Sequence, residues 1–273
     1  MSTSEALDPV IAAAFDHAGI KARIDNGKAK YYRRMVTLAG DLAGMRFLRD
    51  PALLNVFNDA QARIGAAYRL NELFALMRVG KGTARIQAVE TLTALVQRQI
   101  LLRGYVIACP VCRRSRWLYP DAVSEQMRCP ACAALNHLPL DATFVYKLNA
   151  IYRTGFTQGA LSVLLTALYY AERAASFTWG ACVIAEKHGL KTEIDLVCAV
   201  DGRLILIECK DKFIYQAEAD FAALRDQLAR GRMLAREIGA EFVFATAQPL
   251  DAVPPSIQAA MNGEMVLTSD VLV

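Results

Sequence analysis

The stretch Thr192–Lys210, TEIDLVCAVDGRLILIECK, constrains the fold of this chain more than any other segment. Apolar residues alternate through Ile194, Leu196 and Cys198, break at Asp201-Gly202, and resume through Leu204, Ile205, Leu206 and Ile207. An Asp-Gly step between two such runs predicts a β-hairpin closed by a tight turn. With a two-residue loop, Val200 pairs with Arg203 and each step outward pairs the next residues. Asp195 then faces Glu208, and Glu193 faces Lys210. All four side chains share one face, because side chains alternate along a strand. Two carboxylates directly opposite each other, roughly 5 Å apart at Cβ, repel and cost stability. An exposed hairpin edge of mixed charge would tolerate them, whereas a divalent cation held between them would use them. The buried-looking run LILIECK favours the second reading.

The flanks extend the pattern. Gln158–Ala174 reads as a strongly apolar helix leading into a first strand over Phe177–Ile184. Residues 217–239 carry a helical period through Phe221, Leu224, Leu228 and Leu234, Gly239 stops it, and Glu241–Thr246 (EFVFAT) reads as a short buried strand. A strand–helix–strand crossover adds a parallel neighbour to the sheet.

Asp195, twelve residues, then Glu208-Cys209-Lys210 resembles the core of the PD-(D/E)xK nucleases, which include many restriction endonucleases, the Mrr-like group and archaeal Holliday-junction resolvases. The resemblance covers about residues 155–250, with Ile194 standing where the family often has proline. It implies an α/β fold with a restriction-endonuclease-like mixed β-sheet flanked by helices. It also implies hydrolysis of phosphodiester bonds in nucleic acid, DNA before RNA. Asp195 and Glu208 would hold Mg²⁺ or Mn²⁺ together with the Cys209 carbonyl, since hard cations take oxygen ligands. Lys210 would orient the attacking water or neutralise developing charge. Many relatives add an acid on the first helix and a glutamine on the second; Glu172 and Gln227 are the candidates, and Glu193 is an alternative third acid. Relatives commonly act as homodimers or with a partner subunit, and the layout is similar to bacterial proteins of defence and mobile-element loci.

A second motif is independent of the first. Cys109-Pro-Val-Cys112 and Cys129-Pro-Ala-Cys132 are separated by sixteen residues, a spacing that reads as a zinc site. Four thiolates complete a tetrahedral shell with no open position, so the zinc is structural, and the segment resembles a zinc ribbon. Paired disulfides fit less well: the total of seven cysteines is odd, no export leader opens the chain, and a reducing cytoplasm is expected. Arg113, Arg114, Arg116 and Trp117 could contact phosphate and stack on bases, although a ribbon serving only as scaffold is equally consistent. Cys209 is read as core packing, and His17, His137 and His188 form no cluster.

A length of 273 residues fits about two domains. We expect a helical region over 1–108, the ribbon over 109–140 and the nuclease-like domain over 141–273, with Leu138–Asp141 as linker. The apolar stretch Ala160–Ala171 is too short to span a bilayer, which needs about 20 residues, so no membrane partner is expected. The net charge of +4 is uneven. Residues 1–108 hold 15 Lys and Arg against 9 Asp and Glu, whereas residues 141–273 hold 12 against 16. Attraction for a polyanion would come from the N-terminal half. Lys21–Arg34, with six basic residues around Tyr31 and Tyr32, is a candidate there or else a solvated helix face. Gly80-Lys81-Gly82-Thr83 lacks the rest of a phosphate loop and reads as a turn. The competing functional reading is a non-catalytic nucleic-acid- or protein-binding subunit that keeps the nuclease fold as scaffold.

Overall fold

In a computed structural model, six strands line up in chain order across one mixed sheet: β1 (Lys21–Ile24), β2 (Phe177–Lys187), β3 (Leu190–Val200), β4 (Arg203–Lys210), β5 (Glu241–Thr246) and β6 (Met265–Leu267). The structure describes residues 6–63, 65–211, 218–261 and 263–273, the side chains of 218–220 excepted. β1 to β4 run antiparallel to their neighbours, while β5 pairs parallel to β4 and β6 parallel to β5. Three helices matter for the site: α1 (Asn26–Ala39), α2 (Ala160–Ala171) and α3 (Glu218–Glu237). Position 217, the start of the expected helix, lies outside the described residues, and α3 ends two residues short of Gly239.

The expected hairpin is present. β3 and β4 pair from Val200–Arg203 to Leu196–Ile207, and Asp201 and Gly202 turn with φ of 49° and 79°. Positive φ at both central residues is the turn whose twist matches paired strands. The Asp201 carboxylate also accepts the Ser176 amide at 2.8 Å. Ile205 through Cys209 are buried in succession, so both faces of β4 are covered, as in sheets layered by helices. α2 is buried nearly all round, with Leu164, Leu165 and Ala167 fully enclosed, as expected of a helix without a polar face.

The chain divides into two compact units, one formed by Met1–Asp50 with Thr154–Val273 and the other by Pro51–Arg153. The structure therefore draws boundaries away from 108 and 140. Residues 21–24, expected within a helical region, form β1 and pair with β2. Val145–Leu148 pairs with Leu101–Ala108 in the second unit, so Leu138–Asp141 does not lead directly into the sheet domain. Local patterns miss both features because each strand is fixed by a partner distant in sequence.

The second unit has its own four-stranded antiparallel sheet, ordered Tyr68–Arg69, Val145–Leu148, Leu101–Ala108, Ser115–Leu118. Helices Leu70–Leu76 and Thr83–Gln97 precede Leu101–Ala108 and are joined by a turn containing Gly80-Lys81-Gly82. The two cysteine pairs lie between Leu101–Ala108 and Val145–Leu148. Among the described residues no helix is long and apolar enough to cross a membrane.

Candidate active site and metal centre

Asp195 lies where the ladders on both sides of β3 lapse. The pairing with β4 ends at Leu196–Ile207, and the pairing with β2 passes from Ala181–Leu196 to Val183–Ile194 without Cys182. Cys182 has φ of 53°, and its carbonyl accepts the Asp25 amide at 2.7 Å. A left-handed non-glycine residue costs roughly 1–3 kcal/mol and persists only where its surroundings over-determine it. Asp195 Oδ2 accepts the Cys209 amide at 2.9 Å, so the side chain bridges to β4 beyond the last ladder pair.

Glu208 is 4% exposed. Burial first, and then the charge of Asp195, push its carboxyl well above the usual carboxylate range, while Lys210 opposes the shift. Lys210 Nζ lies 2.7 Å from Glu208 Oε1 and 4.0 Å from Asp195 Oδ2. The three residues singled out from sequence are thus brought together. With both carboxylates ionised, one ammonium leaves the cluster net negative, a donor set that fits a hard divalent cation. The Cys209 side chain is buried, and burial pushes its thiol well up, consistent with packing rather than reactivity.

The auxiliary candidates fare differently. Glu193 does not meet Lys210; its Oε1 receives Lys28 Nζ from α1 at 2.7 Å. Burial alone would lower the Lys28 ammonium, but the bond and charge of Glu193, helped by Asp195, hold it above its ordinary value. Glu172, at the C-terminal end of α2, is held by Arg46 Nε at 2.7 Å and Arg49 Nη1 at 2.6 Å. Arg46 and then Arg49 keep its carboxyl below the usual range. Gln227 lies half-buried on α3, and its side chain makes no hydrogen bond with a described residue. Of the expected basic stretch, Lys28 is thus engaged, and Tyr32 is buried with its hydroxyl on the Gln158 carbonyl at 2.5 Å.

Asp211 escaped the sequence reading. Its carboxylate accepts the Leu161 amide at 3.2 Å, the Ser162 amide at 2.7 Å and the Ser162 hydroxyl at 2.5 Å. It therefore caps α2 and ties that helix to the residue after Lys210. Burial raises its carboxyl and the Ser162 bonds pull it back. Its one sequence signal, an acid next to ECK, does not distinguish a cap from a ligand.

The cysteines form a second centre. All four Sγ atoms lie within 4.8 Å of one another, with Cys109–Cys132 and Cys112–Cys129 at 3.7 Å. Tetrahedral zinc with Zn–S bonds of about 2.3 Å requires S···S separations of about 3.8 Å, so the residues fit that ion. The two knuckles repeat one geometry. The Arg113 and Ala133 amides return to the Cys109 and Cys129 carbonyls at 2.9 and 2.8 Å, and Arg113 and Ala133 have φ of 60° and 58°. Backbone N–H groups, that of Cys112 foremost, bring the Cys109 thiol down to about 6; those of Ala131 and Cys132 likewise lower Cys129. Arg113 and Arg114 are exposed, Arg116 Nη1 donates to the Arg128 carbonyl at 3.0 Å, and Trp117 is half-buried.

The chain matches no family model, and no curated protein matches it. Among solved structures it is similar to protein VC1899 from Vibrio cholerae, at 14% identity and a TM-score of 0.43, covering 100% of this chain and 60% of that one. It is also similar to Can2 from Sulfobacillus thermosulfidooxidans, solved in complex with cyclic tetra-adenylate, at 11% identity and a TM-score of 0.41, covering 96% and 57%. The chain thus spans about 60% of the length of these proteins.

Proposed function

We propose that this protein is a divalent-metal-dependent nuclease that hydrolyses phosphodiester bonds, in DNA before RNA. The observation that carries the reading is the meeting of Asp195, Glu208 and Lys210 on one hairpin, with Glu208 buried against a second carboxylate. Asp195 and Glu208 would hold Mg²⁺ or Mn²⁺, which when bound supplies positive charge at the phosphate and a water of lowered pKa. The chain's own groups do the rest. The Cys209 amide fixes Asp195, and burial keeps Glu208 from swinging out to solvent. Lys210 lies within reach of both carboxylates, where it can orient the water or stabilise charge on a phosphate oxygen. The zinc centre would be structural.

One observation favours the scaffold reading: Glu193 is engaged by Lys28, and among the described residues no third carboxylate joins Asp195 and Glu208 at metal-ligand range. Cleavage of plasmid DNA and labelled RNA with Mg²⁺ or Mn²⁺ decides between them. We expect metal-dependent cutting that falls by about a hundredfold or more in Asp195→Ala and Lys210→Ala. Equal cutting by the parent and Asp195→Ala, or none by the parent on either polymer, would count against the nuclease.

A further inference from the structure

The second unit is strongly basic. Pro51–Arg153 holds 13 Lys and Arg against 6 Asp and Glu, a balance of +7, whereas the remaining residues hold 18 against 21. That excess is not spread evenly. The helix Thr83–Gln97, which follows the Gly80-Lys81-Gly82 turn, exposes Ile86, Val89 and Glu90, and its exposed Arg85 is turned onto Asn71 and the Phe74 ring, a poor surface for phosphate. A cleft on the unit's sheet, of about 630 Å³, is lined instead by Arg116, Trp117, Tyr119, Lys147 and Arg153 over an apolar floor that includes Leu102 and Leu148, and no carboxylate among the described residues lines it. A neighbouring cleft of similar size carries Arg69 against Glu72 and Asp141, whereas the lining of this one holds cations and no acid.

Lys147 is the centre of the cleft's chemistry. Its ammonium lies 4.3 Å from the Trp117 ring centroid and 5.9 Å from that of Tyr119. The rings stand edge to face, 6.4 Å apart. Gly104 leaves the room Trp117 occupies: a Cβ there would lie 2.5 Å from the indole. Lys147 makes no ion pair with a described residue, and burial, then the charge of Arg153, lower its ammonium below the ordinary lysine value. An aromatic seat fixes a cation's position without neutralising it, so the charge remains available to an anion. Tyr119 is 49% exposed and offers ring surface beside that charge.

We propose that this cleft of the second unit is a docking site for a nucleic-acid strand, with Lys147 and Arg116 meeting phosphodiester oxygens and Tyr119 contacting a base. Fixed cations beside an aromatic ring form the pairing that single strands use, and a side-chain excess of seven positive charges on one unit, about five once four zinc-bound thiolates are counted, suits a polyanion better than a lone phosphate. The proposal names where substrate is held and stands apart from the cleavage chemistry at Asp195.

The test is fluorescence anisotropy with labelled single-stranded DNA and RNA, using full-length Asp195→Ala protein without added Mg²⁺ or Mn²⁺, so that binding is read without cleavage. Lys147→Gln and Lys147→Glu are added to that background, and zinc content and circular dichroism verify folding. We expect about 10-fold weaker binding for Lys147→Glu, a smaller loss for Lys147→Gln, and a salt dependence shallower by about one charge. Lys81→Glu, in the turn before Thr83–Gln97, should change affinity by less than about twofold. Folded, zinc-loaded Lys147 variants that bind like their parent overturn the proposal. It is also overturned if inorganic phosphate or a mononucleotide binds as tightly as the oligonucleotide, because the site would then serve a small phosphate ligand. Neither result bears on whether the parent cleaves.

Discussion

Glu208 carries its charge where water cannot reach it, and that makes it a liability for folding. Its carboxyl is raised by burial first and by Asp195 second, so the folded state binds a proton more tightly than the unfolded chain. The sign follows from linkage: stability falls as pH rises from the unfolded carboxyl value, about 4.3, through the folded one, and the full penalty is present above it. In metal-free protein, Glu208→Gln should therefore raise the melting temperature above the folded carboxyl value. The gain should be on the order of 1–3 kcal/mol, roughly 2–4 °C per kcal/mol, and should vanish towards pH 4. Mg²⁺ or Mn²⁺ should stabilise the parent but not the variant. Thermal melts across pH, with and without the ion, check this; a variant less stable than its parent at pH 8 would mean that the Lys210 pair outweighs the burial cost.

The elements around that residue differ in how openly the sequence announces them. The β3–β4 hairpin was legible because turn chemistry, period and charge placement all lie within nineteen residues, Thr192–Lys210. β1 was not: Lys21–Ile24 buries only Ile24, and its partners Val183–Glu186 lie far along the chain. Glu172 looked like a family acid, yet Arg46 and Arg49, distant in sequence, claim it. Asp211 was unreadable for the same reason, since its role depends on the N-terminus of a helix that begins 51 residues earlier, at Ala160. That cap gives a prediction at the element scale. Asp211→Ala leaves the Leu161 and Ser162 amides without their acceptor and should cost about 1–2 kcal/mol, as N-cap losses do. Asp211→Asn, which keeps an oxygen for the amides, should recover part of it. Urea unfolding midpoints measure both. Equal losses in the two variants would assign the effect to the carboxylate charge rather than to the cap.

At the scale of the molecule, the unit with the four-cysteine cluster is one continuous segment, Pro51–Arg153, placed in the chain between the two parts of the other unit. Sequence placed its cysteines correctly but not its edges, because an inserted unit shows in which strands pair, not in composition. Its ribbon has little core of its own: Gln126–Arg128 and Leu135–His137 are three-residue strands, each burying one side chain. Such a module would depend on an ion held by its cysteines, and structural zinc supplies roughly 10–16 kcal/mol in comparable peptides. The sheet that carries Asp195 and Glu208 is different, with β2, β3, β4 and β5 enclosing a continuous apolar core. Zinc removal, by a strong chelator or in Cys129→Ser/Cys132→Ser, should therefore strip hydrogen-exchange protection from Ser115–Leu118, Gln126–Arg128 and Leu135–His137. β3, β4 and β5 should keep theirs. If protection in β3 and β4 falls in step with the ribbon, the two units unfold together, and the zinc that holds the ribbon also holds the candidate active site.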